Sequence, residues 1–194
     1  LDPLRYYLLK EVSFGNDGSI TQEKLEDCIN SDLANNYGNL CQRVISFNEK
    51  NCSLLIPEKG KFEKEDLKIL NKIGDSTDLL RSNIDNQELS AYTNFIVDCL
   101  FDANKYFNDQ EPWKKKHDQK RLHTIVFTAL EIIRKISFML YPIIPETSLK
   151  ALKIFDINEN EIILSSIENH NFLKSKTKIN QIDILFNKIE KNND

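Results

Sequence analysis

The chain has 194 residues with 40% hydrophobic, 29% charged and 9% aromatic side chains, enough apolar material for one substantial core. Its 5 Gly and 5 Pro are too few to punctuate a turn-dense sandwich, a collagen-like repeat or a flexible linker array, whereas long helices need little punctuation. With 26 Lys and Arg against 30 Asp and Glu, the net charge of −4 excludes a general polyanion binder, so any nucleic-acid contact has to be local.

Residues 2–11 read as a short helix, with Asp2-Pro3 as its start signal and Leu4, Tyr7 and Leu8 on one face. Because position 1 is Leu and the helical pattern begins at once, the sequence reads as starting inside a longer protein. Residues 12–20, VSFGNDGSI, form a turn-rich connector. From Thr21 to Glu49, Leu25, Ile29, Leu33, Asn36, Leu40, Val44 and Phe47 recur at spacings of three and four, which predicts a long helix facing a bundle. Pro57 and Gly60 end it. A weaker amphipathic helix over 63–80 carries Leu67, Leu70 and Ile73, with Gly74 as a break point, and a strong one over 85–107 carries Tyr92, Phe95, Ile96, Cys99, Leu100 and Ala103. Over 118–141 the set Leu122, Ile125, Val126, Ala129, Leu130, Ile133, Ile136 and Leu140 marks one apolar side, closed by Pro142. Pro145 opens a short helix to Phe155, and 156–194 is a tail of weak pattern, partly extended. The expected fold class is all-α, a mainly antiparallel helix bundle.

Cys28, Cys41, Cys52 and Cys99 have no C-x-x-C spacing and no signal peptide beside them, so they read as reduced thiols of a cytoplasmic protein. The longest apolar stretch, 125–145, is interrupted by Glu131, Arg134 and Lys135, and a membrane span of about 18 residues is not expected. His117, His123 and His170 lack Cys or carboxylate neighbours at metal-ligand spacing. Neither a Gly-rich phosphate loop nor a nucleophile motif occurs, so no catalytic residue and no metal site are expected.

Three constellations carry chemistry. Asn39 and Arg43 are four apart on the first long helix, at the rim of its buried stripe, and their planar amide and guanidinium match a base edge; the plainer alternative is a surface pair tying down a loop. Pro112 fixes the turn that presents Trp113, the single Trp, either as a stacking platform for an unpaired base or as a plug for the end of the bundle. Lys114, Lys115, Lys116, Lys120 and Arg121 crowd the next helix start, where cations oppose the helix dipole; they suit phosphate contact, or form a solvated face.

In their order these residues resemble the C-terminal part of the bacterial methionyl-tRNA synthetase family, class I aminoacyl-tRNA synthetases. LDPLRYYLLKEVSFGNDGSI at 1–20 is similar to the family's stem-contact stretch beyond the KMSKS loop. Asp32-Leu33-Ala34-Asn35 and Gly38-Asn39-Leu40-Cys41-Gln42-Arg43 resemble its first anticodon-domain helix. Pro112-Trp113 resembles its Pro-Trp, and Leu140-Tyr141-Pro142-Ile143-Ile144-Pro145 its L-x-P-x-x-P. Lys115 departs from an apolar position, and Leu185-Phe186-Asn187-Lys188-Ile189 follows a Leu-Phe-Pro-Arg-Ile segment loosely.

The resemblance implies a remnant of the stem-contact region at 1–20, a helical anticodon-binding domain at 21–155, and a tail at 156–194 that docks on the catalytic domain. It implies that Trp113, with Pro112, stacks on the anticodon of methionine tRNA, and that Asn39 and Arg43 contact the cytosine of CAU. ATP with Mg, and a structural Zn, would belong to the absent catalytic part, leaving this stretch without cofactor or activity of its own. The partners implied are methionine tRNA and the protein's own catalytic domain, with no membrane and a monomeric state. The rival readings are an isoleucyl, valyl or leucyl synthetase domain, and a helical protein-interaction module, which would bury Trp113.

Overall fold

The computed structural model describes residues 1–11 and 20–189. The expected connector at 12–20, with its Phe-Gly-Asn-Asp-Gly turn, lies almost wholly outside them, as does the charged run that ends the chain. Helices are α1 (Asp2–Glu11), α2 (Gln22–Cys28), α3 (Asn39–Cys52), α4 (Lys64–Gly74), α5 (Thr77–Asp85), α6 (Leu89–Gln110), α7 (Gln119–Leu140) and α8 (Pro145–Leu152). Among the described residues the only strand-like pairing is an isolated antiparallel bridge, Leu55 with Lys178.

The first long helix is one rod from Gln22 to Cys52, but Ile29–Gly38 is wound as a π-helix between α2 and α3. Thr21 caps its start, accepting from the Lys24 amide at 3.3 Å. Wider turns with i→i+5 bonding keep Ile29, Leu33 and Tyr37 on the buried side, continued by Cys41 and Ile45. Gly38 sits where the π winding ends: a Cβ there would stand 3.2 Å from the Leu33 carbonyl oxygen. The predicted 63–80 helix is two, divided at Gly74, where a Cβ would meet the His170 ring at 2.6 Å.

α7 is the central pillar. Every side chain from Leu122 to Leu140 except half-buried His123 is buried, because α3, α4, α6, α8 and the tail surround it. Each fully buried Leu or Ile here contributes about 1.5–3 kcal/mol, so a polar residue at Leu130 would break the bundle. Glu131, Arg134 and Lys135, the interruptions of its apolar run, are all 0% exposed. They anchor the tail. Glu131 accepts from the Leu173 amide at 2.7 Å and pairs with Arg134 at 2.8 Å; Arg134 donates to the Asn169 carbonyl at 3.0 Å, and Lys135 donates to the Ile167 carbonyl.

The tail then straps the rod. Lys178 bridges Leu55, Gln181 donates to Glu49 at 2.6 Å, Phe186 lies beside Gly38, and Ile189 exchanges two 2.9 Å hydrogen bonds with Asn30. It therefore runs antiparallel to the rod, from the end of α3 back past its beginning. α1 is fixed at the same end: Tyr6 donates to Asp32 at 3.0 Å, Lys10 to the same carboxylate at 2.6 Å, and Asp2 accepts from Thr147 of α8.

Candidate RNA-binding site

Arg43 lies one turn into α3, half-buried, with exposed Asn39 a turn before it. Across from it, the last turns of α6 supply Phe107 and Asn108. The Arg43 guanidinium stands over the Phe107 ring at 5.7 Å and donates to Asn108 Oδ1. Phe107, 2% exposed, meets Phe47 of α3 edge-on at 5.9 Å and Trp113 edge-on at 6.3 Å. One ring thus joins the guanidinium to the indole, although their residues lie 70 positions apart.

Trp113 is 41% exposed. Its turn is set by Glu111, which leaves α6 in the left-handed region at φ 43°, and by buried Pro112 at the start of a 3-10 turn. The indole meets Phe107 in a T-shaped contact while much of its surface faces solvent, which is not the buried plug a protein-interaction module would need. Neither Phe107 nor Asn108 was legible as a site residue, because each joins Arg43 through a contact across the bundle rather than a local motif.

The basic run divides. Lys114, Lys115, Lys116 and Lys120 are exposed, with Lys114 paired to Glu111 at 2.7 Å. Arg121 is a correction to the expected set of phosphate contacts: its guanidinium is buried and forks onto Asp66 at 2.6 and 3.0 Å, with Gln110 accepting at 2.6 Å. Asp66 is 0% exposed and also accepts from Tyr106, whose phenol burial and the carboxylate hold far above its usual pKa. Leaving Asp66 buried without its cation would be costly, so Arg121 is spent on tying α7 to α4.

Burial pushes the Cys28 and Cys99 thiols up to about 12 and the Cys52 thiol to about 11, as suits inert core cysteines. Among the described residues no group of three or more His, Cys, Asp or Glu side chains is placed to hold a metal ion, so these residues do not fit a zinc site. None of the described helices is long and apolar enough to cross a membrane.

Comparisons with known proteins give the class first: residues 1–45 match the family model described as tRNA synthetases class I (M). Residues 56–194 match the model of the anticodon binding domain of methionyl tRNA ligase. The chain belongs to the methionyl-tRNA ligase family. The methionine–tRNA ligase of Brucella suis is 38% identical over 158 residues, covering 81% of this chain and 31% of that protein. That of Thermotoga maritima is 31% identical over 191 residues, covering 97% and 30%. The apo crystal structure of Mycobacterium tuberculosis methionyl-tRNA synthetase superposes with a TM-score of 0.91 at 31% identity, covering 98% of this chain and 39% of that one. The same synthetase in complex with methionyl-adenylate gives a TM-score of 0.89 at 32% identity, covering 95% and 37%. The chain thus spans about a third of the length of these relatives, and the matches favour the methionyl reading over the isoleucyl, valyl and leucyl ones.

Proposed function

We propose that this chain recognises the CAU anticodon of methionine tRNA on behalf of a methionine–tRNA ligase. The observation that carries the reading is the joined cluster of Arg43, Phe107 and Trp113: a half-exposed indole held on a rigid edge, beside a guanidinium and amide pair on the rim of α3. An indole stacks on any base, so Trp113, directed by Pro112, supplies affinity with little preference. Arg43 and Asn39 supply discrimination at the first anticodon position, since a wrong base leaves their donors and acceptors unpaired. Lys114, Lys115, Lys116 and Lys120 add a salt-dependent attraction for phosphates.

Residues 1–20 act as the end of the stem-contact region, 21–155 as the anticodon-binding domain and 156–194 as the tail, whose far end reaches toward the catalytic domain. Attachment of methionine, with ATP, Mg and zinc, belongs to that catalytic part, and the protein works as a cytoplasmic monomer. None of these steps is assigned to a residue of this chain.

Because Trp113 is the single Trp, its fluorescence reports directly on the site. Titrating with anticodon stem-loop RNAs, we expect strong quenching by CAU and at least tenfold weaker binding when the first base is changed. Equal affinities across all four bases at that position would overturn the assignment of Asn39 and Arg43. Absence of quenching would overturn that of Trp113.

A further inference from the structure

α6 joins the end of the molecule that holds α1 to the Arg43 cluster. At its start Ser90 Oγ donates to the Leu9 carbonyl of α1 at 3.3 Å, and near its end Asn108 accepts from Arg43. Midway, Asn104 donates to Asn36 Oδ1 of the rod at 2.7 Å. With Asn36 opposite Asn104 and Arg43 opposite Asn108, rod and α6 lie side by side and run in the same direction.

At about 100° per residue, Ser90, Val97, Phe101, Asn104 and Asn108 fall in one stripe about 60° wide, and none of them is charged. The charges of α6, Asp98, Asp102, Lys105 and Asp109, stand to the side of α4, where Lys72 pairs with Asp102 at 2.6 Å and Lys105 with Asp109 at 3.0 Å. Phe101 is the large apolar side chain at the middle of the uncharged stripe. Its ring is 64% exposed and belongs neither to the core nor to the ring–ring contacts found among the described residues. Of the described aromatic side chains only Phe101 and Trp113 are exposed, and along the chain they flank Asn108 and the guanidinium it holds.

We propose that Phe101 is a second stacking platform, holding an unpaired base of the anticodon loop other than the first anticodon base. This rests on the anticodon reading above and deepens it by a further binding residue. The direction fits: Phe101 lies on the α1 side of the Arg43 cluster, so a strand that leaves Arg43 and Trp113 for the stem-contact region passes over it. The spacing fits as well, since Phe101 to Asn108 is about two turns of helix, about 10 Å, or about three nucleotides of stacked strand. An uncharged stripe with one free ring suits the face of a base and gives a phosphate nothing to pair with. A phenyl ring has no donor or acceptor, so Phe101 adds affinity without preference among bases, as Trp113 does.

The test is binding of labelled CAU stem-loops by the 194-residue chain, followed by anisotropy, with RNAs in which one loop nucleotide at a time is abasic. Phe101→Ala should weaken the intact stem-loop about fivefold or more, leaving the melting temperature, the preference for cytosine and the slope of affinity against salt unchanged. Phe101→Leu, apolar but without a ring face, should weaken it nearly as much, and Phe101→Trp should bind at least as well as the parent. The loss caused by Phe101→Ala should vanish for one abasic RNA, the one that lacks the base Phe101 holds, and that base should not be the first of the anticodon. Phe101→Leu binding like the parent would make the contact a greasy one and overturn stacking. A loss that vanishes only when the first anticodon base is missing would place Phe101 in the Arg43 site and overturn the second platform. Unchanged binding by Phe101→Ala while Trp113→Ala still weakens it overturns Phe101 alone; if Trp113→Ala is also without effect, the anticodon reading fails with it.

Discussion

Replacing Phe107 by Leu tests whether Arg43 and Trp113 act as one unit. The ring makes two edge-on contacts, with Phe47 at 5.9 Å and Trp113 at 6.3 Å, and carries the Arg43 guanidinium at 5.7 Å. Aromatic pairs contribute about 0.5–1.5 kcal/mol each beyond area burial, and a half-exposed cation–π contact about 0.5–1 kcal/mol. Leucine keeps most of the buried volume but removes all three, so the protein should lose about 1.5–4 kcal/mol of stability and still fold. The diagnostic quantity is coupling. With the ring present, Trp113→Ala and Arg43→Ala should be non-additive in binding a CAU stem-loop by about 0.5–1.5 kcal/mol, because each depends on a support the other shares. In the Phe107→Leu background that coupling should fall to below about 0.3 kcal/mol. The assay is a double-mutant cycle by fluorescence anisotropy of labelled RNA, run in both backgrounds at one salt concentration. Additivity in the parental protein would refute the joint site, whatever the single variants cost.

Arg121→Ala should destabilise the bundle by about 3–5 kcal/mol in urea titrations followed by circular dichroism, because it strands Asp66 in the core, whereas Lys115→Ala and Lys116→Ala should change stability by less than about 0.5 kcal/mol. Lys135 is held down to about 7 mainly by burial, with Arg134 beside it. The unfolded chain keeps that proton to pH 10.5 and the folded chain releases it near 7, so stability should rise with pH between these values by up to about 5 kcal/mol. Lys135→Met should flatten that rise, and an unchanged profile would show that the ammonium is not desolvated. Gly74→Ala should cost about 1–3 kcal/mol, since its Cβ would press on a His170 ring already fixed by Lys135 at 2.9 Å and Asn71 at 2.8 Å; a melting temperature unmoved by this change would contradict the close packing there.

Helices were legible wherever the sequence states them locally. Leu67, Leu70 and Ile73 declared α4, Gly74 its end, and Pro145 the start of α8, because periodicity and backbone chemistry act within a few residues. The π winding of Ile29–Gly38 was not legible: apolar residues four apart satisfy an α-helix as well as a wider turn, and only packing chooses between them. Arg121 looked like one more cation in a basic run, since its partner Asp66 is 55 positions away. Lys135 and Glu131 looked like breaks in an apolar stripe for the same reason; their partners lie in the tail. At the candidate site, Asn39, Arg43 and Trp113 stood out by residue type, while Phe107 resembled any other core aromatic.

The strap along the rod sets an order of assembly. The contacts among α6, α7 and α8 join neighbours in sequence, whereas Ile189 and Asn30 are separated by 159 positions. Closing that loop in an unfolded chain costs about 4–5 kcal/mol of entropy, more than two exposed hydrogen bonds return. Once the bundle has formed, the two anchors are already near each other and only the strap's own residues need ordering. The strap therefore docks last. By the same reasoning it opens first, so its amides should exchange with solvent faster than those of α7, and the clasp between Ile189 and Asn30 closes only in a molecule whose helices are already in place.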